Sequence, residues 1–168
     1  MKRFLQVFLI VAFVFLLAAC NGKEADLKLG HAFYATEDDG GIKVVAVVLD
    51  GEEIIDVFLD ELYFFNEDDN AKELTGGNGR LSNGYAEGKV LGSKRINTKI
   101  YTKSMEVAGS KQQISESYDA IEKYCIGKTV ADLEDVINDG EWDVISGSTL
   151  TGNLGYLQAI VEAAKAAE

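Results

Sequence analysis

Residues Ile42-Lys43-Val44-Val45-Ala46-Val47-Val48-Leu49 limit this chain more than any other segment. β-Branched side chains are stiff at χ1 and fit a pleated surface better than a helix. The run is bounded by Gly40-Gly41 and Asp50-Gly51, and a second run follows from about Ile54 to Leu62. Asp-Gly between two such runs predicts an antiparallel hairpin. Ile55, Val57 and Leu59 alternate with polar or mixed residues on the returning strand, and Asp60-Glu61 reads as surface charge at its end. Both faces of the first strand are apolar, which places it in the centre of its sheet. A strand pattern is already present from Ala32.

Residues 66–88 carry Asn66-Glu67-Asp68-Asp69-Asn70 and Gly76-Gly77-Asn78-Gly79, and read as a long loop with little regular structure. The second half is helical. Ser117 is a candidate cap for a helix with Tyr118, Ile121, Tyr124 and Cys125 at helical spacing. Thr129 is a good N-cap for a short helix burying Leu133, Val136 and Ile137. A last helix over about Asn153–Ala167 has a stripe of Leu154, Leu157, Ile160, Val161 and Ala164. A hairpin followed by helices predicts one α+β domain, an antiparallel sheet packed by C-terminal helices.

The N-terminus has a different character. Met1-Lys2-Arg3 precedes an almost wholly apolar stretch, Phe4 to Leu17. A basic flank and a short apolar core read as a secretory signal; the stretch is shorter than the roughly 20 residues of a spanning helix. It ends in Leu17-Ala18-Ala19-Cys20, which resembles the lipobox of bacterial lipoproteins. That resemblance implies cleavage after residue 19, diacylglycerol on the Cys20 thiol and attachment to the outer face of the cell membrane. Residues 1–19 are then signal peptide, 20–28 a polar tether and 29–168 the domain.

Charge narrows the partners. The chain has 28 acidic and 16 basic residues, for a net charge of −12. Loss of Lys2 and Arg3 leaves the mature part at −14. Such a balance argues against nucleic acid and against peripheral binding to anionic lipid. The bilayer must then be held through acyl chains, of which two suffice for stable anchoring.

Several apparent motifs carry no chemistry. Gly127-Lys128-Thr129 ends like a P-loop, but the required upstream Gly is Glu122. Gly76-Gly77-Asn78-Gly79 lacks the strand–turn–helix frame of a dinucleotide site. Asp38-Asp39 and Glu67-Asp68-Asp69 lack the alternating spacing of a calcium loop and read as solvated charge. His31 is the sole histidine, so no Cys/His metal site forms. With Cys20 lipidated, Cys125 has no disulfide partner and reads as a small core residue.

Trp142-Asp143-Val144-Ile145-Ser146-Gly147-Ser148-Thr149 stands apart. It is a hydroxyl-rich turn ahead of a helix, whose N-terminal N–H groups and dipole stabilise a phosphate. On residue chemistry alone, a phosphate site and a plain capping segment both remain open. Asp143-x-x-Ser146-Gly147-Ser148-Thr149 resembles the flavinylation motif D-x-x-S/T-G-A-T of the FMN-binding domain family. Ser148 stands where that family usually has Ala. The likeness extends to Gly30–Thr36, Val47–Gly51, Phe58–Glu61, Gly84–Arg95, Tyr101–Met105 and Gly155–Ala164, and is strongest to the FMN-bearing lipoproteins of extracellular electron transfer. Members of that group often carry two such domains; this chain carries one.

The resemblance implies an FMN-binding-domain-like fold with FMN joined to Thr149 by a phosphoester bond. Asp143, Ser146, Gly147 and Ser148 form the surrounding motif, and a flavin transferase makes the bond from FAD outside the cytoplasm. It implies an electron-transfer flavoprotein rather than a substrate-specific enzyme, fed by a quinol- or NADH-linked membrane donor. Ferric iron, a soluble flavin or another extracellular oxidant would accept the electrons. Within that picture Lys94 or Arg95 would lie near the FMN phosphate or the N1–O2 edge of the ring, and Tyr101 and Met105 would pack on the ring. Two other readings stand beside it: a non-redox surface lipoprotein that binds a small ligand or partner, and a signal whose Phe13–Ala19 segment yields a short peptide pheromone.

Overall fold

The computed structural model describes residues 25–35, 40–74, 87–107, 109–140 and 153–168. Strands β1 (Leu27–Tyr34), β2 (Gly41–Asp50), β3 (Glu53–Asn66) and β4 (Lys89–Ser93) form one antiparallel sheet in chain order. Helices α1 (Thr98–Val107), α2 (Ile114–Cys125), α3 (Val130–Asp139) and α4 (Asn153–Lys165) follow. The class is α+β, as the sequence predicts, and β2 is an interior strand. Residues 66–88 open with a short 3₁₀ turn, Glu67–Asp69, whose residues are all exposed.

The hairpin forms at the expected place. Asp50 pairs with Glu53, so Gly51-Glu52 is the two-residue loop. Gly51 has φ +65°, the positive value that a type II′ turn needs at its first central position. The Gly51 N–H donates to Asp26 O, and Asp26 N–H donates to Asp50 Oδ1, both at 2.9 Å. These bonds tie the chain to the turn just before β1. Leu27 and Lys28, assigned to the tether by their polarity pattern, therefore belong to the sheet.

β3 departs from simple alternation. Val48 pairs with Asp56 but Leu49 pairs with Ile54, leaving Ile55 as an extra residue. This bulge turns Ile54 and Val57 both inward and leaves Ile55 exposed. Beyond it, Leu59 and Glu61 continue the inward phase, opposite Val45 and Lys43 of β2.

The core lies between the inward face of the sheet and the helices. Val45, Val47, Leu49, Ile54, Val57 and Leu59 meet Ile114, Tyr118, Ile121 and Cys125 of α2 and Tyr156, Leu157, Ile160, Val161 and Ala164 of α4. Leu133 of α3 completes the cluster. On the opposite face Leu29, Phe33, Ile42 and Phe58 stay exposed among the described residues. No described helix is long and apolar enough to cross a membrane.

Thr129 caps α3 as expected: its Oγ1 accepts from Asp132 N–H, and its own N–H donates to Asp132 Oδ2 at 2.8 Å. α2 starts earlier than expected. Gln113 N–H donates to Glu116 Oε2 at 3.0 Å, closing the helix start there. Ser117 sits inside the helix, fully buried, and accepts from Gln112 Nε2. Gly127-Lys128-Thr129 spends its backbone on the sheet: Gly127 N–H donates to Ile54 O, and Lys128 O accepts from Ile54 N–H. That use is structural and leaves nothing to cradle a phosphate.

Close packing of α4 on β1 depends on Gly30. A Cβ there would lie 1.9 Å from Ala163 O. Gly30→Ala must push the edge strand off the helix, and the expected cost is about 3 kcal/mol, the upper part of the overpacking range. Urea unfolding measures it, and an unchanged midpoint would contradict this packing.

Candidate functional site

The residues placed at the chemistry by sequence, namely Cys20, Asp143, Ser146, Gly147, Ser148 and Thr149, lie outside the described residues. What the structure brings together is the region beside the start of α4. Tyr156, on the first turn of that helix, is buried against a charge cluster centred on Glu61.

Glu61 is fully buried, and so is Lys43, its direct cross-strand neighbour. The sequence reading of Asp60-Glu61 as surface charge is therefore wrong. Glu61 lies in phase with Val57 and Leu59 on the inward face, and the chain folds its partners over it. Lys94, 2% exposed, places Nζ 2.7 Å from Glu61 Oε1. The two side chains form a buried ion pair. Lys94 N–H also donates to Glu61 O at 2.8 Å, which fixes the turn after β4 against β3. Tyr156 OH donates to Glu61 Oε2 at 2.7 Å and Tyr118 OH to the same oxygen at 3.3 Å. Burial, together with the neighbouring Glu61 charge, raises the pKa of both phenols, so both stay protonated and donate. Gly41 leaves the room: a Cβ there would meet Glu61 Oε1 at 2.2 Å.

Asp60 faces the other way and is also buried. Its Oδ2 accepts from Ser93 Oγ and its Oδ1 from Arg95 N–H, which closes the turn into α1. The Arg95 side chain reaches beyond that turn. Its Nε donates to Leu59 O, and its two terminal nitrogens pair with Asp119 and Glu122 of α2. Burial pulls the Arg95 pKa down, but Asp119, Glu122 and Asp60 outweigh it and the net shift is upward. Burial raises the pKa of Glu122 despite the Leu59 N–H and Arg95 beside it. Arg95 thus clamps β3 to α2. Each of its guanidinium nitrogens has a protein partner.

Next to this cluster lies a groove of about 640 Å³ between the end of β3 and α1. Its aromatic wall holds Tyr63, Phe65 and Tyr101, with ring centroids 5.2–6.4 Å apart and edge-to-face. Lys94 Nζ lies 4.1 Å from the Tyr101 centroid and 5.0 Å from that of Tyr63, and donates to Tyr101 OH. One buried ammonium therefore anchors both rings and Glu61. Lys89, Lys99 and Lys103 line the groove, with Asp68 and Asp69 toward the end of β3. Tyr101 is on this wall and, like Met105, also packs against the hydrophobic core. His31 is exposed on β1, away from these groups.

Sequence reasoning passed over Lys43, Glu61, Tyr118 and Tyr156. Their signal was phase: Lys43 shares the i, i+2 register of Val45, Val47 and Leu49, and Glu61 that of Val57 and Leu59. Opposite charges on the buried phase of two neighbouring strands mark a buried pair. No group of three or more His, Cys, Asp or Glu suited to a metal ion occurs among the described residues. Comparison with protein-family models, curated proteins and solved structures returned no match.

Two outcomes follow from this geometry. Lys94→Met strands the buried Glu61 charge and should cost about 3–5 kcal/mol in urea unfolding; a loss under about 1 kcal/mol would contradict the role given to the pair. Burial pushes the Cys125 thiol up to about 12. It should resist a thiol reagent at pH 8 in the native protein and react on unfolding, and rapid native labelling would contradict this placement.

Proposed function

We propose that this chain is a membrane-anchored, extracytoplasmic electron carrier with FMN joined covalently to Thr149. On this reading residues 1–19 are a lipoprotein signal, Cys20 carries the lipid, and the α+β domain is an FMN-binding domain. Electrons pass from a quinol- or NADH-linked membrane donor to extracellular acceptors. The carrying observation is Asp143-x-x-Ser146-Gly147-Ser148-Thr149, which ends four residues ahead of α4.

One described feature fits such a group: α4 begins at Asn153, and a helix start offers unpaired N–H groups to a phosphate. FMN supplies the redox chemistry when attached; the protein supplies attachment, orientation and electrostatics. Thr149 offers the hydroxyl that becomes the ester, and Gly147 admits a tight backbone beside it. Covalent linkage suits a cofactor outside the cell, where a dissociated one diffuses away. The lipid on Cys20 keeps the domain at high effective concentration near a membrane donor.

Co-expression with a flavin transferase should yield a yellow protein whose colour survives denaturation, with an FMN mass adduct on the peptide containing Thr149. Thr149→Ala should abolish the adduct and Ser148→Ala should retain it. The reverse pattern would move the acceptor to Ser148. A colourless wild-type protein would leave the ligand-binding lipoprotein as the better reading. Cys20→Ser should release the protein from the membrane without affecting flavinylation of the domain.

A further inference from the structure

We propose that the groove between β3 and α1 is a second, non-covalent site for a planar aromatic phosphate, a free flavin mononucleotide, separate from any group carried on Thr149. The choice of a flavin rests on the electron-carrier reading; the aromatic and anionic character of the ligand rests on the groove alone.

Four features point to such a ligand. The volume, about 640 Å³, falls within the range of small-molecule sites. Tyr63 and Tyr101 present aromatic surface on a wall made rigid from behind by Lys94, so little ordering is needed on binding. Lys99 and Lys103 stand one helical turn apart on α1, both exposed and both lining the groove. Like charges at that spacing destabilise a helix. Neither forms an ion pair among the described residues, although the chain carries 28 acidic side chains. An anion held between them removes the repulsion.

The far end of the groove has the complementary chemistry. Asp68 and Asp69 line it, and Asn66 joins Asp69 to Lys89 through hydrogen bonds on either side. Carboxylates there accept from ring N–H or ribityl hydroxyl groups and repel a second phosphate. The arrangement favours a ligand with one anionic end and one neutral, hydrogen-bonding end.

The test uses the full mature chain carrying Thr149→Ala, so that no flavin is covalently bound. FMN and riboflavin are titrated separately, following flavin fluorescence, which stacking on tyrosine quenches. FMN should be quenched saturably, and riboflavin, which lacks the phosphate, should bind at least tenfold more weakly. Lys99→Glu with Lys103→Glu should weaken FMN at least tenfold and leave riboflavin unchanged. Lys111→Glu with Lys123→Glu, an equal charge change away from the groove, should leave both unchanged. Absence of saturable quenching, or equal loss in the two double variants, would overturn the proposal. A wild-type protein that gains no FMN adduct, with intact FMN titration of the variant, would fail the covalent reading alone; a wild-type adduct with no saturable FMN quenching of the variant would fail this site alone.

Discussion

A carboxylate taken out of water must be surrounded by partners, and Glu61 shows what this requires of a small fold. Its two oxygens collect Lys94 from the turn after β4, Tyr118 from α2 and Tyr156 from α4. Lys43 lies opposite on β2 and holds its Nζ 4.8 Å from the Tyr156 ring centroid. Elements far apart in sequence thus meet at one side chain. An apolar core tolerates some sliding of a helix over a sheet; a buried charge with fixed partners does not. Asp60 performs a similar task on the other face, closing the turn that delivers Lys94 and Arg95. The adjacent pair Asp60-Glu61 therefore sets the position of β4, α1 and α2 relative to β3.

Much of this architecture can be read directly in the chain, and the failures have physical causes. The β2–β3 hairpin is legible because a β-branched run and Asp-Gly turn chemistry agree. α3 and α4 are legible because a cap and an apolar stripe coincide. Ile55 misleads because a bulge inserts it between two inward residues, and a period of two gives no warning of a register change. Ser117 misleads because a hydroxyl before an apolar stripe looks like a cap, whereas Gln113 and Glu116 do that work one turn earlier. Asp60-Glu61 misleads most, since charged residues are almost never fully buried unless paired. Their partners Ser93, Lys94 and Arg95 are 33 to 35 positions away, beyond any local pattern.

The same cluster connects the fold to the proposed activity. Lys94 carries the Glu61 charge contact on one side and the Tyr63–Tyr101 wall on the other. α4, bonded to Glu61 through Tyr156, starts four residues after Thr149. In the proposed carrier two covalent attachments act in series, lipid on Cys20 holding protein to membrane and an ester on Thr149 holding FMN to protein. The acidic surface suits that design, because it weakens binding to anionic lipid headgroups and leaves the tether as the main attachment.

The central claim is that electrons from the membrane reach a flavin on this protein. The direct measurement is the absorbance of the protein-bound flavin in anaerobic membrane vesicles that contain the full-length protein. Addition of NADH or a quinol should bleach the yellow flavin band, and ferric iron should restore it, with no response in vesicles carrying Thr149→Ala. A flavin band that stays unchanged on adding either donor, in vesicles whose protein carries the adduct, would contradict the account.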